Sequence, residues 1–203
     1  MSSFNKNIDL FTIVRGLKTF MTEKEAMTQY GILSGKIDTI CILPLSLNIP
    51  FVTAMVPSIA KSMAQEKEQE ASEKCIKFLR ITLLIGLSST IAIILFADLI
   101  LKILFPNASA GSELLKLNSI SIVFAMLAQT INGILQGIGK INVPAIAFFV
   151  GMIFKFLINV NWVKIEYIGI KAATIGNIIC NLVVCLIGII VLIRCKKIKF
   201  LKK

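Results

Sequence analysis

From residue 39 to residue 193 the chain alternates long apolar runs with short polar breaks, and the runs have the length of membrane crossings. They cover 39–60, 81–97, 117–139, 141–163 and 172–193. A hydrocarbon core of roughly 30 Å takes about 20 residues of helix. Four runs therefore span outright, and the second does so once 78–80 and 98–100 reach the interfaces. A soluble fold would have to hide five wholly apolar helices inside 203 residues, with too little polar sequence to cover them. The pattern predicts an all-α, polytopic membrane helix bundle of about five transmembrane helices over 37–194. It also predicts an extracytoplasmic amphipathic segment at 1–36, a cytoplasmic linker at about 61–80 and a basic cytoplasmic tail at 195–203.

Orientation follows from the loops. The side that receives 61–80, the turn at Lys140 and the tail from Arg194 holds the larger share of the loop Lys and Arg, so it is the expected cytoplasmic side. The basic N-terminal segment must then cross with no helix before it, which reads as the second part of something longer. In that segment Leu10, Ile13, Val14, Leu17 and Met21 share one face while Arg15 and Lys18 point away, and Thr22 with Glu25 matches a capping box opening a second short helix. Both short helices are expected at the outer membrane surface. In the linker, Glu70 before Lys74 and Glu73 before Lys77 fit a solvated helix.

Polar side chains inside the spans carry the chemistry, because an amide or charge in hydrocarbon is costly unless it faces protein, water or cargo. In the third span Asn118, Ser121, Ala125, Gln129, Asn132 and Gln136 follow one helical face. The fourth aligns Lys155, Asn159 and Trp162, and the fifth Thr174, Asn177, Asn181 and Gly188. Two readings stand open. The stripes line a shared substrate pathway, or they are interhelical glue at close contacts such as Gly133 with Gly137 and Ala172 with Gly176. Lys155 stands apart, since a positive charge near mid-span costs about 2.5 to 3.5 kcal/mol on insertion scales. No acid lies well inside the five spans, so its expected partner is an amide stripe or an anionic ligand.

The first span differs in kind, with Pro44, Pro50 and Pro57 marking it as a kinked helix, read either as a bending gate or as a static kink. Ser46 and Thr53 are placed to satisfy carbonyls that the prolines free.

Composition narrows the function. The net charge of +11 accompanies 56% hydrophobic residues and sits mostly between and beyond the spans, which points to lipid headgroups and topology and away from nucleic acid. With no histidine and no CxxC among Cys41, Cys75, Cys180, Cys185 and Cys195, neither a zinc site nor a histidine-based triad can be assembled. No metal or other cofactor is expected, and no enzyme activity.

Ordered motifs agree with a known family. Ile8-Asp9-Leu10-Phe11, Tyr30-Gly31-Ile32-Leu33-Ser34-Gly35, Leu43-Pro44 and Met55-Val56-Pro57-Ser58-Ile59 occur first. Ile134-Leu135-Gln136-Gly137-Ile138-Gly139-Lys140, Lys155 with Asn159, and Ile168-Gly169-Ile170 before Ala172-Ala173-Thr174-Ile175-Gly176 follow. Together they resemble the stage V sporulation protein B-like polysaccharide-biosynthesis family of the multidrug/oligosaccharidyl-lipid/polysaccharide exporter superfamily, which includes the lipid II flippases. Lys171 departs from that pattern, where relatives usually have Gly.

The resemblance implies the C-terminal part of an exporter built from two six-helix bundles, this chain supplying the end of the seventh helix and helices eight to twelve. It implies a multi-pass protein of the bacterial cytoplasmic membrane that moves a lipid-linked oligosaccharide or peptidoglycan precursor, an anionic pyrophosphate lipid, by alternating access. The expected partners are membrane lipids, this cargo and a separately encoded or missing N-terminal bundle. The alternatives are a cation-coupled multidrug antiporter, against which the absence of an acid in the spans argues, and a truncated, non-transporting membrane fragment.

Overall fold

The structure, a computed structural model, describes residues 2–106 and 110–195, with side chains from residue 9 onward. Of the basic tail expected at 195–203, all but Cys195 lies outside the described residues. The elements in chain order are α1 (Ser2–Leu17), α2 (Glu23–Gly31), a π-helical turn (Ile32–Ile37), α3 (Asp38–Ala64), α4 (Glu68–Leu104), α5 (Ser112–Gly137), α6 (Asn142–Trp162) and α7 (Lys171–Arg194). Five helical stretches are long and apolar enough to cross a membrane, the first of them running without a break from α2 through the π-turn into α3. The chain is an all-α, multi-pass helix bundle, as the hydropathy pattern predicts.

α5 is the hub, packing on α3, α4 and α7, while α6 lies along α7 and α1 lies on α6 and α2. The seams are made by small residues. Gly133 and Gly137 face α3 so closely that a Cβ would sit 2.9 Å from Met55 Cε and 3.0 Å from Ile59 Cβ respectively. Gly188 lets Ile131 nest against α7, and a Cβ on Gly151 would stand 2.9 Å from the Cys180 carbonyl. α4 contributes Ala71, Ser72, Cys75, Thr82, Gly86, Thr90 and Ala97 to its buried face. Such surfaces let helices approach in lipid, where packing and interhelical hydrogen bonds replace the hydrophobic drive. The opposite faces carry Leu83, Leu84, Leu87, Ile91 and Leu95 on α4 and Ile146, Phe149, Ile153 and Phe156 on α6, all exposed. That is the composition of a lipid-facing wall.

The N-terminal segment differs from its expected surface position. Its apolar face is as read, with Ile13 and Leu17 fully buried and Arg15 and Lys18 exposed, but the face packs on the bundle. Gly16 makes the approach possible, since a Cβ there would meet Val163 Cγ1 at 2.8 Å. The expected boundary between 36 and 37 falls inside the π-helical turn, so the part of the segment from Glu23 onward forms one continuous helical stretch with the first span. The capping box is present. The Glu25 amide donates to Thr22 Oγ1 at 3.4 Å, and the Thr22 amide donates to Glu25 Oε2 at 3.0 Å.

The linker is also shorter than its predicted range. α3 runs to Ala64 and α4 begins at Glu68, with Glu66 at φ 56° turning the chain between them. At 37 residues α4 is about 55 Å long, so its first turns extend beyond a hydrocarbon core. Lys74 pairs with Glu70 at 2.7 Å and donates to the buried Ser62 at 2.8 Å, tying α4 back to α3. Glu73 accepts from Gln69.

Pro44, Pro50 and Pro57 lie inside α3, which stays one helix through all of them. Ser46 Oγ donates to the Leu43 carbonyl and Thr53 Oγ1 to the Ile49 carbonyl. Neither reaches a carbonyl freed by proline, because those belong to residues 40, 46 and 53, four before each ring.

Candidate functional site

A polar cleft of about 190 Å³ lies between α3 and α5 on one side and α1, α6 and α7 on the other. It sits at the end of the bundle where α3, α5 and α7 begin and where α1 and α6 end. Asp38, Cys41, Ile42 and Leu45 come from α3, Asn118, Ser121 and Ala125 from α5, Asn177 and Asn181 from α7, Lys155 from α6 and Asp9 from α1.

Lys155 is 2% exposed and Asn159, one turn further along α6, is wholly buried. Gly176 of α7 makes room for both, since a Cβ there would lie 3.0 Å from Asn159 Oδ1 and 3.3 Å from Lys155 Cγ. The lysine's partner is a carboxylate. Lys155 Nζ donates to Asp9 Oδ2 at 2.6 Å, while Asn159 Nδ2 donates to Asp9 Oδ1 at 3.2 Å and to Thr12 Oγ1 at 3.4 Å. The expectation of an amide or ligand partner is thereby corrected, for a physical reason. Asp9 lies outside the five apolar runs, on a helix that the bundle itself holds at the depth of Lys155.

The signal for Asp9 was present in the sequence. Asp9, Ile13 and Leu17 follow four-residue steps, so the acid heads the same stripe whose apolar members are buried. An acid on the buried face of one helix and a lone lysine inside another are natural counterparts, because an unpaired charge in either place is costly.

The third-span stripe divides. Asn118 Nδ2 donates to Asp38 Oδ1 at 3.1 Å and leaves its buried Oδ1 without a hydrogen-bond partner, while Ser121 donates to the Asn118 carbonyl. Both line the cleft. Gln129 instead accepts from Asn48 of α3 at 2.9 Å and works as glue. Asn132 is half-buried with an unpartnered Oδ1, and Gln136 is exposed, so neither joins the cleft. On α7, Asn177 and Asn181 line the cleft, with Asn181 Nδ2 donating to the Asn177 carbonyl, and the Thr174 hydroxyl is buried without a partner. Trp162 is exposed and Gly188 packs on Ile131.

Glue is also supplied by residues the stripes do not include. Thr82 and Thr130 share a hydrogen bond at 2.8 Å between α4 and α5, and Thr90 donates to the Ser119 carbonyl at 3.0 Å. Asn48, 2% exposed, follows seven residues after Cys41 and seven before Met55 on the buried face of α3. Its position on that face was legible by the same periodicity.

The family model described as MatE matches residues 19–161. Over 129 residues the chain is 29% identical to the uncharacterized membrane protein YabM of Bacillus subtilis (strain 168), covering 64% of this chain and 24% of that protein. Over 86 residues it is 31% identical to stage V sporulation protein B of the same organism, covering 42% of this chain and 17% of that protein. The aligned part thus spans about a quarter or less of each relative's length. No solved structure matches the chain.

Proposed function

The chain belongs to the MatE family, and from that premise we propose that it forms the C-terminal part of an exporter of the multidrug/oligosaccharidyl-lipid/polysaccharide superfamily, translocating a lipid-linked saccharide across the bacterial cytoplasmic membrane. The observation that carries the reading is the cleft. A buried lysine of α6 shares the cleft with amides of α5 and α7 inside a membrane bundle, and Asn159, one turn further along α6, donates to the same carboxylate as that lysine. Ammonium and amide donors suit the pyrophosphate of such a cargo, and the remaining amides suit sugar hydroxyls. The likeness to stage V sporulation protein B supports the same direction. A transport cavity would be completed by a second bundle, and the exporter would act by alternating access.

Asp9 weakens the argument from a missing acid against a cation-coupled multidrug antiporter, because it brings a carboxylate into the bundle. The two readings part on cargo. In an intact exporter containing this half, Lys155→Met alone leaves Asp9 without its partner and is expected to lower folded yield. The double variant Asp9→Asn/Lys155→Met removes both charges and is expected to fold. Under the lipid-linked saccharide reading, that double variant loses at least tenfold in translocation of an undecaprenyl-diphosphate-linked saccharide per folded molecule. Unchanged specific activity would remove Lys155 from the pathway. Export of cationic drugs with no effect on lipid-linked saccharide would favour the antiporter.

A further inference from the structure

Lys155 Nζ and Asn159 Nδ2 point two donors from adjacent turns of α6 at one carboxylate, each to a different oxygen of Asp9. The burial is graded. Lys155 and Asn159 are 2% and 0% exposed, whereas the Asp9 side chain keeps 18% of its surface and lines the cleft. The anion therefore stands between the buried donors and the opening. A phosphate or diphosphate has the same recognition chemistry as this carboxylate, namely oxygens spaced to accept from an ammonium and an amide at once.

We propose that Asp9 is a tethered stand-in for the anionic group of the cargo, occupying the Lys155/Asn159 fork in the empty carrier and leaving it when a phosphate-bearing lipid enters. This rests on the reading of Lys155 as an anion contact and adds the regulation of that contact. Because hydrogen bonds from α6 to α1 converge on Asp9 and Thr12, the exchange also releases the polar hold on α1. Cargo entry is thereby coupled to loosening of one helix, and departure of the cargo lets Asp9 restore the closed packing.

Competition makes a distinctive forecast. Replacing Asp9 with Asn removes the competing anion from the Lys155/Asn159 fork. The other ionisable groups facing the cleft are Lys155 on α6 and Asp38 and Cys41 on α3, while α7 faces it with the amides of Asn177 and Asn181. Tyr30 of α2 packs in the apolar cluster that includes Ile13, Leu17 and Cys41.

The probe is methanedisulfonate, a diphosphate-shaped dianion, bound to the full chain in detergent. Binding is read by fluorescence of the single tryptophan, Trp162, which lies one turn beyond Asn159. Asp9→Asn should bind at least tenfold more tightly than wild type, and adding Lys155→Met should abolish binding. A pair with only a packing role would lower the folded yield of Asp9→Asn and leave the affinity of the folded fraction unchanged. That result overturns the stand-in while leaving Lys155 as an anion contact. No binding to either wild type or Asp9→Asn overturns both the stand-in and the anion role of Lys155. Should Asp9→Asn fail to fold, hydrogen exchange of the α1 amides in wild type decides: no increase on adding saturating methanedisulfonate overturns the proposal.

Discussion

Asn48, Thr82, Thr130 and Gln129 are hydrogen-bonded across helix seams, whereas Lys155 and Asp9 form a charged pair, and the difference in kind sets a difference in energy. Interhelical hydrogen bonds in membrane proteins average about 0.6 kcal/mol and reach about 1.7. Thr82→Val should therefore cost about 0.6 kcal/mol, and the Thr82→Val/Thr130→Val pair about the same, because the bond between the two hydroxyls is lost only once. Breaking a buried ion pair by removing one partner costs about 3 to 5 kcal/mol, since it strands the other charge. The Asp9 carboxylate keeps 18% of its surface and the Asn159 donor, so Lys155→Met should fall near the low end of that range. Unfolding in a graded SDS series measures both, and equal losses for Thr82→Val and Lys155→Met would contradict this ranking.

Helix seams were legible where they rest on period and residue size. Gly133 and Gly137 repeat at a four-residue step, and the structure sets both against α3. What the sequence concealed was partner choice. An amide stripe looks the same whether it faces a neighbour or a cleft, so Gln129 and Asn118 separate only when α3 is placed beside α5. Likewise Asp9 sits in a polar segment whose helix has no spanning length of its own, and hydropathy alone left it at the surface. The seams also predict opposite signs for one substitution. Gly137→Ala places a Cβ 3.0 Å from Ile59 Cβ and 3.2 Å from the Val56 carbonyl oxygen, so it should destabilise by about 1 to 3 kcal/mol as the helices are forced apart. Gly31→Ala meets nothing within 4 Å inside a helical stretch, and should stabilise by about 0.5 to 1 kcal/mol through helix propensity. Thermal unfolding in detergent checks the pair, and a loss for Gly31→Ala would mean its surface is covered in the folded protein.

The two ends of the bundle differ chemically, and the difference fixes how it should sit in a membrane. At one end lie Lys61, Lys67, Lys74, Lys77, Arg80, Lys140 and Arg194, the start of α4 extending beyond the core. The other end carries the basic residues of the N-terminal segment with Lys102, Lys116, Lys164 and Lys171, and two of these are paired between helices, Lys116 with Asp98 and Lys171 with Glu113, both at 3.1 Å. That end also carries Trp162 at 42% exposure and Tyr167 at 95%, amphipathic rings suited to a lipid-water interface. Counting the basic tail after Arg194 in the sequence, we propose from the positive-inside bias that the α3–α4 turn is cytoplasmic and the α6–α7 turn outside, with the cleft in the outer half. Cysteine labelling tests this, but Cys75, although near the basic end, is buried and would report burial in place of side. The test needs a chain with all five native cysteines replaced and one new cysteine at an exposed turn position. On intact cells Lys67→Cys should resist a membrane-impermeant maleimide until the membrane is permeabilised, while Tyr167→Cys should react at once. The reverse pattern would invert the bundle and place the Asp9–Lys155 cleft in the inner half, where cargo would meet it before translocation instead of after.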